Sequence, residues 1–450
     1  MATSRKSERR MSESAVYDDG TNTFFWRAHT ITVLLIGILT LAWVALFEEQ
    51  PEDSSYNISR GISAAIVVFL AFGITQAKDG PFVRPHPAFW RLTLCISVVY
   101  ELLLVFLLFQ TVSDARVLLS SVDPSLNKPL DFRAYGGSCT VWDPDHPDGP
   151  FHNVFDKLDG FVIAHILGWF FKALILRDVW ITNIVSILFE LLEYTFEHQL
   201  PNFSECWWDH WILDFILCNG LGIYVGLKCL KYLSAKEYKW HGLWNITSYG
   251  GKMRRMVSQF TPYSWVQFRW QPTENFFRWL FVSMLTLLFL VAELNTFYLK
   301  FVLWIPPEHP FVLTRLVLYV PWGAVAVREA YDYAGGTAAK FGQQAWIICA
   351  IIITEFMIVV KFGSEVLTKP FPRFITMFWL FVMVSYLCYS IWKFQMKFPR
   401  VHSWFKAISW DLNRETGSTY SSCVKNLVWG KLAQVDETSP NYDAHCDKQK

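Results

Sequence analysis

The chain has 450 residues, of which 53% are hydrophobic, 17% aromatic and only 18% charged. A soluble globular domain carries nearer a quarter charged residues, and an excess of Trp and Phe suits the interfaces of a lipid bilayer. The formal net charge of +1 gives no reason to expect a nucleic-acid partner. The nine cysteines include no C-x-x-C pair, so neither a zinc site nor a thioredoxin-like site is indicated.

Hydropathy predicts an all-α, polytopic integral membrane protein. A spanning helix needs about 20 mostly apolar residues, and ten stretches of the chain come close to that length. In chain order the predicted spans are 28–47, 61–77, 92–111, 158–176, 179–198, 209–230, 276–298, 309–328, 345–361 and 372–394. They form a transmembrane catalytic domain, 28–394, between two polar tails, 1–27 and 395–450.

The distribution of Lys and Arg predicts the orientation of these spans. The basic N-terminal tail and the basic segment 231–275 are expected in the cytosol, while the acidic loop 48–60 falls on the lumenal side. Both termini are then cytosolic, and residues 112–157 form a lumenal loop. Segment 236–270 mixes Trp with basic residues and is interpreted as an interfacial stretch on the cytosolic surface, with an ordinary cytosolic loop as the alternative.

Acidic residues are concentrated around the fifth and sixth predicted spans. Glu190, Glu193 and Glu197 are spaced i, i+3, i+7, which places them on one face of a helix. Asp209 and Asp214 enter the next span from the same loop. An ionisable residue in the middle of a span costs about 2.5–3.5 kcal/mol on insertion scales and indicates a functional site by default. Several such carboxylates also repel one another unless something positive lies between them.

Two arrangements would solve this repulsion. The acids pair with basic side chains, of which Lys172 and Arg315 are the few nearby candidates, or they hold a cation. Carboxylate and amide oxygens suit a hard cation such as Ca²⁺ or Mg²⁺, and the lumen of the secretory pathway favours calcium. An interhelical hydrogen-bond network of protonated acids is the structural alternative. A cation transporter or channel is the alternative from another functional class.

The predicted depths of several polar residues coincide. At 1.5 Å per residue, His165, Glu190 and Asp214 lie about 10, 12 and 8 Å from the lumenal ends of their spans. Arg315 lies six residues into the eighth span, in the same half of the bilayer. We therefore expect His165 to act as a general base, and Arg315 to bind a phosphate or a carboxylate.

Several motifs resemble the phosphatidylserine synthase family of base-exchange enzymes, over nearly the whole chain between the tails. The most specific is Gln199-Leu-Pro-Asn-Phe-Ser-Glu-Cys-Trp-Trp-Asp209. Others are Asp79-Gly-Pro-Phe-Val-Arg84-Pro-His86-Pro, the segment from Gly251-Lys-Met-Arg-Arg255 through Gln259-Phe-Thr-Pro262, and Ala292-Glu-Leu-Asn-Thr-Phe297. Residues 16–30 resemble the type 2 branch of the family rather than type 1.

The resemblance implies a reaction and a set of site residues. The ethanolamine of phosphatidylethanolamine would be replaced by L-serine, with calcium, in the endoplasmic reticulum, and the active site would face the lumen. The family's functional positions fall on His165, Glu190, Glu193, Asn202, Glu205, Asp209, Asp214 and Asn219. We assign Ca²⁺ to Glu190, Glu193, Glu205 and Asp209. His165 is the base, Asp214 orients it, and Asn202 and Asn219 position serine or phosphate.

A second family group is expected on the cytosolic side: Arg84, His86, Arg255, Gln259 and Arg328. Its guanidinium groups suit recognition of the product phosphatidylserine as a feedback inhibitor, and structural pairing of loop arginines is the alternative. Cys139 and Cys206 both fall in predicted lumenal segments, where a disulfide and two unpaired thiols are equally expected. A homodimer stays an open alternative to a monomer.

Overall fold

The computed structural model describes residues 30–46, 54–82, 85–130, 138–158, 160–235, 246–259 and 267–394. Within these ranges every regular element is helical. Eight helices in these ranges are long and apolar enough to cross a membrane, and shorter apolar helices lie at the other two of the ten predicted spans, Leu35–Val44 and Gly160–Leu176. The prediction of an all-α polytopic membrane protein is therefore confirmed.

The α-helices are numbered in chain order. They are α1 (Thr30–Leu46), α2 (Ser54–Gln76), α3 (Pro87–Leu108), α4 (Val112–Val122), α5 (His152–Lys157), α6 (Gly160–Leu176), α7 (Val179–Phe196), α8 (Gly220–Ala235), α9 (Tyr249–Gln259), α10 (Phe276–Leu303), α11 (Pro310–Ala334), α12 (Gln343–Phe362), α13 (Ser364–Leu367) and α14 (Arg373–Phe394). A π-helical segment, Asp209–Asn219, leads directly into α8. Two 3₁₀ turns occur at Pro124–Asn127 and Pro201–Phe203.

Helix boundaries follow local capping chemistry rather than hydropathy alone. Helix α10 begins where the side chain of Asn275 accepts a hydrogen bond from the backbone N–H of Arg278, and it ends at Trp304, whose φ of 59° is left-handed. Helix α11 starts with Pro310 in its first turn, after His309 as the N-cap. Both helices run several residues past the predicted span ends, because caps rather than the bilayer thickness determine where a helix stops.

The chain forms one compact unit up to Phe378, and a second unit begins at Trp379. Of the second unit the structure describes only the end of α14. Both predicted tails lie outside the described residues, as do 236–245 and 260–266 of the predicted interfacial segment. The described part of that segment is 246–259, which contains α9, and 267–270. In α9, Tyr249, Met253 and Met256 are exposed at i, i+4, i+7 spacing, as an interfacial helix requires. The interfacial prediction is wrong for 267–270, where Phe268 and Trp270 are buried in the helical core.

Helices α6 and α8 approach each other closely because two glycines of α8 face α6. A Cβ atom at Gly226 would lie 2.8 Å from the Phe170 carbonyl oxygen and from the Ala173 Cβ. Gly222, one turn earlier, would meet the Ile166 carbonyl oxygen at 2.5 Å. This small-x-x-x-small spacing is typical of helices that pack backbone to backbone in membranes. It fixes α6 against the span that carries Asp214.

Helices α3, α10, α11 and α12 form a second packed group around a buried polar network. The carboxylate of Glu355, which is 0% exposed, accepts hydrogen bonds from Arg315 Nε at 2.8 Å and Nη2 at 2.6 Å. It also accepts from the hydroxyls of Tyr100 at 2.7 Å and Tyr319 at 3.0 Å. Arg315 Nη1 donates to the Thr296 hydroxyl at 2.5 Å. Each charge in this pair is matched by the other, which is the condition for burying it.

We predict that Arg315→Met destabilises the folded protein by about 3–5 kcal/mol, because it leaves the buried Glu355 carboxylate without its counter-charge. Replacing both partners, as in Arg315→Met with Glu355→Leu, should recover most of that loss. The measurement is thermal or denaturant unfolding in detergent micelles.

Arg278→Met is the matched control for this prediction. Arg278 pairs with Glu274, whose side chain is 51% exposed, so removal of the pair should change the free energy of unfolding by less than about 1 kcal/mol. Equal stability of the Arg315 and Arg278 variants would contradict the assigned role of the Arg315–Glu355 pair.

Candidate active site

The predicted acidic residues converge between α6, α7, the 197–208 loop and the π-helical segment. We call the carboxylates of this group, with the histidines and the amide that contact them, the acidic cluster. Its members are His165, Glu190, Glu193, Glu205, Asp209, His210, Asp214 and Asn219. Of the residues expected at one depth, His165, Glu190 and Asp214 belong to this cluster, whereas Arg315 contacts Glu355 and Thr296 instead.

Two carboxylates of α7 form the buried wall of the cluster. Glu190 is 1% exposed and Glu193 is 9% exposed. Asn219, at the end of the π-helical segment, donates from Nδ2 to Glu190 Oε1 at 2.6 Å and to Ser186 Oγ at 3.0 Å. Glu197 lies outside the wall: it is exposed and accepts a hydrogen bond from Ser204. Treating Glu197 as peripheral, as the family pattern implied, agrees with this placement.

His165 and Asp214 form a pair at one side of the cluster. His165 Nδ1 lies 3.2 Å from Asp214 Oδ1, and both side chains are partly exposed. If Asp214 accepts the Nδ1 proton, the other ring nitrogen, Nε2, keeps its lone pair for a substrate. The geometry therefore suits a histidine base that is oriented by an aspartate.

His210 follows directly after the Gln199–Asp209 motif and was not predicted from sequence to have a role. Its buried ring lies between three carboxylates: Nε2 is 3.2 Å from Glu190 Oε2, and Nδ1 is 3.6 Å from Glu193 Oε2 and 4.0 Å from Glu205 Oε2. The signal in the sequence was a histidine directly after Asp209 in an acidic stretch, since an imidazole among acids is a common ligand or counter-charge.

The 197–208 loop supplies the remaining acid and holds a second loop against the site. Burial, with the nearby charges of Asp214 and Asp209, raises the pKa of the Glu205 carboxyl to about 9. Next in sequence, Cys206 forms a disulfide with Cys139, and Trp208 Nε1 donates to the Cys139 carbonyl at 3.3 Å. Of the two states left open for these cysteines, the structure contains the disulfide.

Comparison with known proteins gives this cluster a context. Residues 85–363 match the family model described as "Phosphatidyl serine synthase". The chain is 58% identical over 398 residues to Phosphatidylserine synthase 2 of Homo sapiens, an alignment that covers 88% of this chain and 82% of that protein. The chain belongs to the phosphatidyl serine synthase family. The family match gives no support to the transporter alternative.

Two other relatives extend the comparison. Phosphatidylserine synthase 2 of Danio rerio is 58% identical over 385 residues, which is 85% of each chain. A protein of Oryza sativa subsp. japonica named CDP-diacylglycerol--serine O-phosphatidyltransferase 2 is 41% identical over 395 residues, 85% of this chain and 93% of that one. Family membership makes this chain a multi-pass membrane phosphatidyltransferase.

Three residues of the predicted synthase site lie apart from these contacts or at their edge. Asn202 is half-buried in the 3₁₀ turn Pro201–Phe203, and the structure shows no side-chain hydrogen bond for it within the described residues. Asp209 Oδ2 faces Lys157 Nζ at 3.6 Å. Arg315 is held by Glu355 and Thr296, and none of its described contacts is with the acidic cluster. A substrate role for Arg315 would require it to leave Glu355.

The structure describes the predicted regulatory group only in part. Arg84 and the side chain of Gln259 lie outside the described residues, and Arg255 lies on α9. His86 caps α3, where its Nδ1 accepts from the Ala88 N–H at 3.1 Å. Arg328 pairs with Asp332 at 2.9 Å, one turn along α11. Product sensing by this group stays a prediction.

The acidic cluster fits a divalent cation. Four of its buried polar atoms have no hydrogen-bond partner within the described residues: Glu190 Oε2, Glu205 Oε2, His210 Nε2 and Asn219 Oδ1. Glu190 Oε2 and His210 Nε2 are 3.2 Å apart but are not aligned for a hydrogen bond. Buried acceptors of this kind are costly unless a partner satisfies them. Ligand atoms of Glu190, Glu193 and His210 all lie within 4.8 Å of one another, a spacing that one ion can span.

We predict that Ca²⁺ raises the unfolding temperature of the protein and that Glu193→Gln removes most of this effect. At 100 times the dissociation constant, a bound ion stabilises the folded state by about 2.7 kcal/mol. Gln is neutral at the same size, so the variant should keep less than half of that stabilisation. Without Ca²⁺, it should be at least as stable as the parent, because one repulsive charge is gone.

Glu197→Gln tests whether the effect depends on the cluster rather than on the charge of α7. Glu197 is the C-cap residue of α7 and lies outside the cluster, so its variant should keep the full Ca²⁺-dependent shift. Loss of the shift in both variants, or in neither, would contradict a cation site at Glu193.

Proposed function

We propose that the protein makes phosphatidylserine by base exchange, replacing the ethanolamine of phosphatidylethanolamine with L-serine in a calcium-dependent reaction. Identity of 58% to phosphatidylserine synthase 2 over 88% of the chain supports the reaction class. The single structural observation that carries the proposal is the contact of His165 with Asp214 beside the buried carboxylates. A base and an anion-stabilising centre are the two elements that transfer to a phosphorus atom requires.

The chain's own residues account for the proton and the positioning in this proposal. Serine's hydroxyl gives its proton to His165 Nε2 as its oxygen bonds to the lipid phosphorus, while Asp214 holds the ring through Nδ1. The bond from phosphorus to the ethanolamine oxygen breaks, and that oxygen takes up the proton from His165. Asn202 offers its amide to the phosphate or to serine. The predicted substrate role of Asn219 is replaced by a supporting one, because its buried Nδ2 already donates to Glu190 and Ser186.

Glu190, Glu193 and Glu205 are the residues that would hold Ca²⁺, with Asn219 Oδ1 and one oxygen of Asp209 as further ligands. When bound, Ca²⁺ supplies positive charge that binds the lipid phosphate and offsets the charge that develops on it. Three oxygens of these residues are buried and have no hydrogen-bond partner within the described residues, namely Glu190 Oε2, Glu205 Oε2 and Asn219 Oδ1, and oxygen is the ligand type that Ca²⁺ prefers.

We further propose that the site faces the lumen of the endoplasmic reticulum. The Cys139–Cys206 disulfide supports this placement, because disulfides persist in oxidising compartments and the loop it ties carries Glu205 next to Cys206. The cytosolic group that includes Arg255 and Arg328 would then lie across the membrane from the acidic cluster and sense phosphatidylserine in the cytosolic leaflet.

The reaction is tested with purified protein in liposomes and labelled L-serine. Liposomes of phosphatidylethanolamine should yield phosphatidylserine and one free ethanolamine per product, and chelation of Ca²⁺ should stop both. CDP-diacylglycerol is included as a donor because the name of the rice relative contains it. Incorporation of serine only when CDP-diacylglycerol is the donor, with release of CMP, would contradict base exchange and favour phosphatidyl transfer from CDP-diacylglycerol. Calcium flux without headgroup exchange would favour the transporter.

We predict that His165→Gln lowers exchange by about 10²–10⁴-fold, because glutamine keeps hydrogen bonding but accepts no proton. The Ca²⁺-dependent shift in unfolding temperature should stay at the parent value, which separates loss of the base from loss of the cation site. His152→Gln is the matched control: this histidine begins α5, away from the described contacts of the cluster, and its ring stacks on His146. Exchange at the parent rate in the His165 variant would contradict the assigned role of His165 as the base.

A further inference from the structure

A second group of metal-binding side chains lies beside the proposed Ca²⁺ ligands. Ligand atoms of His165, Asp214 and Cys218 all lie within 4.8 Å of one another. The first two residues form the proposed base and its orienting partner, whereas Cys218 has no part in the exchange reaction as proposed. No C-x-x-C spacing marks this group in the sequence, because its donors come from two helices. Its thiol distinguishes it from the carboxylates that would hold Ca²⁺.

Close packing of α6 against α8 brings the three side chains together. A Cβ atom at Gly222 would lie 2.5 Å from the carbonyl oxygen of Ile166, so the two backbones meet one residue after His165. Cys218 precedes Gly222 by four residues, and Asp214 precedes Cys218 by four more, which is close to one helical turn each time. Asp214 and Cys218 therefore share the face of the π-helical segment that is turned towards His165, as the 3.2 Å contact between His165 and Asp214 shows.

Cys218 is a free thiol at the inner side of this group. Its side chain is 0% exposed, and the structure shows neither a disulfide nor a hydrogen bond for its Sγ within the described residues. The side chains of His165 and Asp214 are 28% and 17% exposed, so an ion can approach the thiol from their side. A buried cysteine commonly only fills space. An imidazole and a carboxylate next to it give this one the surroundings of a metal ligand.

The donor types favour a different metal from the one proposed for the acidic cluster. Ca²⁺ binds oxygen, and a thiolate is not among its usual ligands. Zn²⁺ binds sulfur, nitrogen and carboxylate oxygen at about 2.0–2.3 Å in a tetrahedral arrangement, which separates the ligand atoms by about 3.3–3.8 Å. The three ligand atoms lie within 4.8 Å of one another, so small side-chain rotations bring them to that spacing.

Charge balance also favours a divalent ion at this position. Zn²⁺ would bind the carboxylate of Asp214 and the thiolate of Cys218, so the complex has no net charge. A neutral complex is less costly in a low-dielectric interior than an unpaired charge. As the bond from sulfur to zinc forms, the thiol proton leaves to water. Zinc exchanges bound water molecules for the three protein ligands and keeps one water in the fourth position.

We propose that His165, Asp214 and Cys218 bind Zn²⁺, or a similar thiol-binding divalent metal, and that this metal inhibits the enzyme by occupying its base. If zinc binds Nε2 of His165, the base is blocked directly. If zinc binds Nδ1, the proton of the neutral ring stays on Nε2, which then has no lone pair to accept the proton of serine. The inhibition rests on the proposed function, whereas binding of the metal does not.

Metal binding is tested with Co²⁺, which occupies zinc sites and absorbs in the near ultraviolet when it is bound to a thiolate. The purified protein is saturated with Ca²⁺ under non-reducing conditions, which preserve the Cys139–Cys206 disulfide. Equimolar Co²⁺ should produce this absorption, and Zn²⁺ should remove it by displacing Co²⁺. Cys218→Ala should abolish the absorption. Cys229→Ala removes a free thiol of α8 that is outside the group, and this matched control should keep the absorption.

Inhibition is tested in liposomes of phosphatidylethanolamine at saturating Ca²⁺, with free Zn²⁺ set by a metal buffer. Zn²⁺ should inhibit the parent protein and Cys229→Ala equally. Loss of even a residue that only supports a metal ligand weakens metal binding by about 10–100-fold, so Cys218→Ala should need at least about tenfold more Zn²⁺ for the same inhibition. Its exchange rate without Zn²⁺ should stay near the parent rate. Additional Ca²⁺ should not relieve the inhibition, because the two metals bind different ligands.

The possible outcomes distinguish this proposal from the proposed function. Inhibition that Ca²⁺ relieves and that Cys218→Ala does not change would place zinc among the glutamates and overturn the proposal. Cobalt–thiolate absorption that is absent from the parent protein, or that persists in Cys218→Ala, would also overturn it and leave Cys218 as a packing residue. A parent protein that binds Co²⁺ through Cys218 but exchanges no headgroup would confirm the metal site and overturn the proposed function.

X-ray absorption spectroscopy of the unaltered, Zn²⁺-loaded protein covers the case in which Cys218→Ala does not fold. The zinc should have one sulfur at about 2.3 Å and nitrogen or oxygen ligands at about 2.0–2.2 Å. Cys218→Ser keeps the approximate size of the side chain and should lose the sulfur. Zinc that is surrounded only by oxygen and nitrogen in the unaltered protein would refute the contact with Cys218.

Discussion

The structure depends on how carboxylates are kept inside a low-dielectric membrane domain. The chain buries two groups of them and treats each differently. Glu355 is neutralised internally by Arg315 and by two tyrosine hydroxyls, which closes one helix group around a satisfied pair. Glu190 and Glu205 instead keep one oxygen each without a hydrogen-bond partner among the described residues. A buried polar group left in that condition favours a bound ligand, because a ligand atom offsets the cost of its unsatisfied lone pair.

Close packing of the helices gives the side chains of the acidic cluster defined positions. Glycines 222 and 226 let α8 lie directly on the backbone of α6, so the span that carries Asp214 is fixed relative to the helix that carries His165. The pair Lys172–Glu293 connects α6 to α10 on the same principle as Arg315–Glu355. The disulfide then fastens the extramembrane loop to the start of the π-helical segment. Rigid surroundings of this type keep catalytic groups in register.

Hydropathy was sufficient to predict an all-α polytopic protein, because the requirement for about 20 apolar residues is a local property of the sequence. The stripe of Glu190 and Glu193 was also readable, since i, i+3 spacing fixes a common helix face. The sequence did not show which buried charges pair with each other. Glu355 is distant from Arg315 in sequence, and no periodicity joins them. The π-helical winding that aligns Asp209 with Asp214 is likewise invisible to a 3.6-residue pattern, and so the position of His210 among three carboxylates was missed.

Base exchange places an unusual demand on such a site. One phosphodiester replaces another, so the chemistry itself supplies little free energy to favour either product, and binding of the acceptor has to make the choice. The same carboxylates that would hold a cation also attract every amino alcohol, whether or not it carries a carboxylate. Discrimination must therefore come from a group that binds the carboxylate of serine and that lies outside the set of residues that would hold the cation.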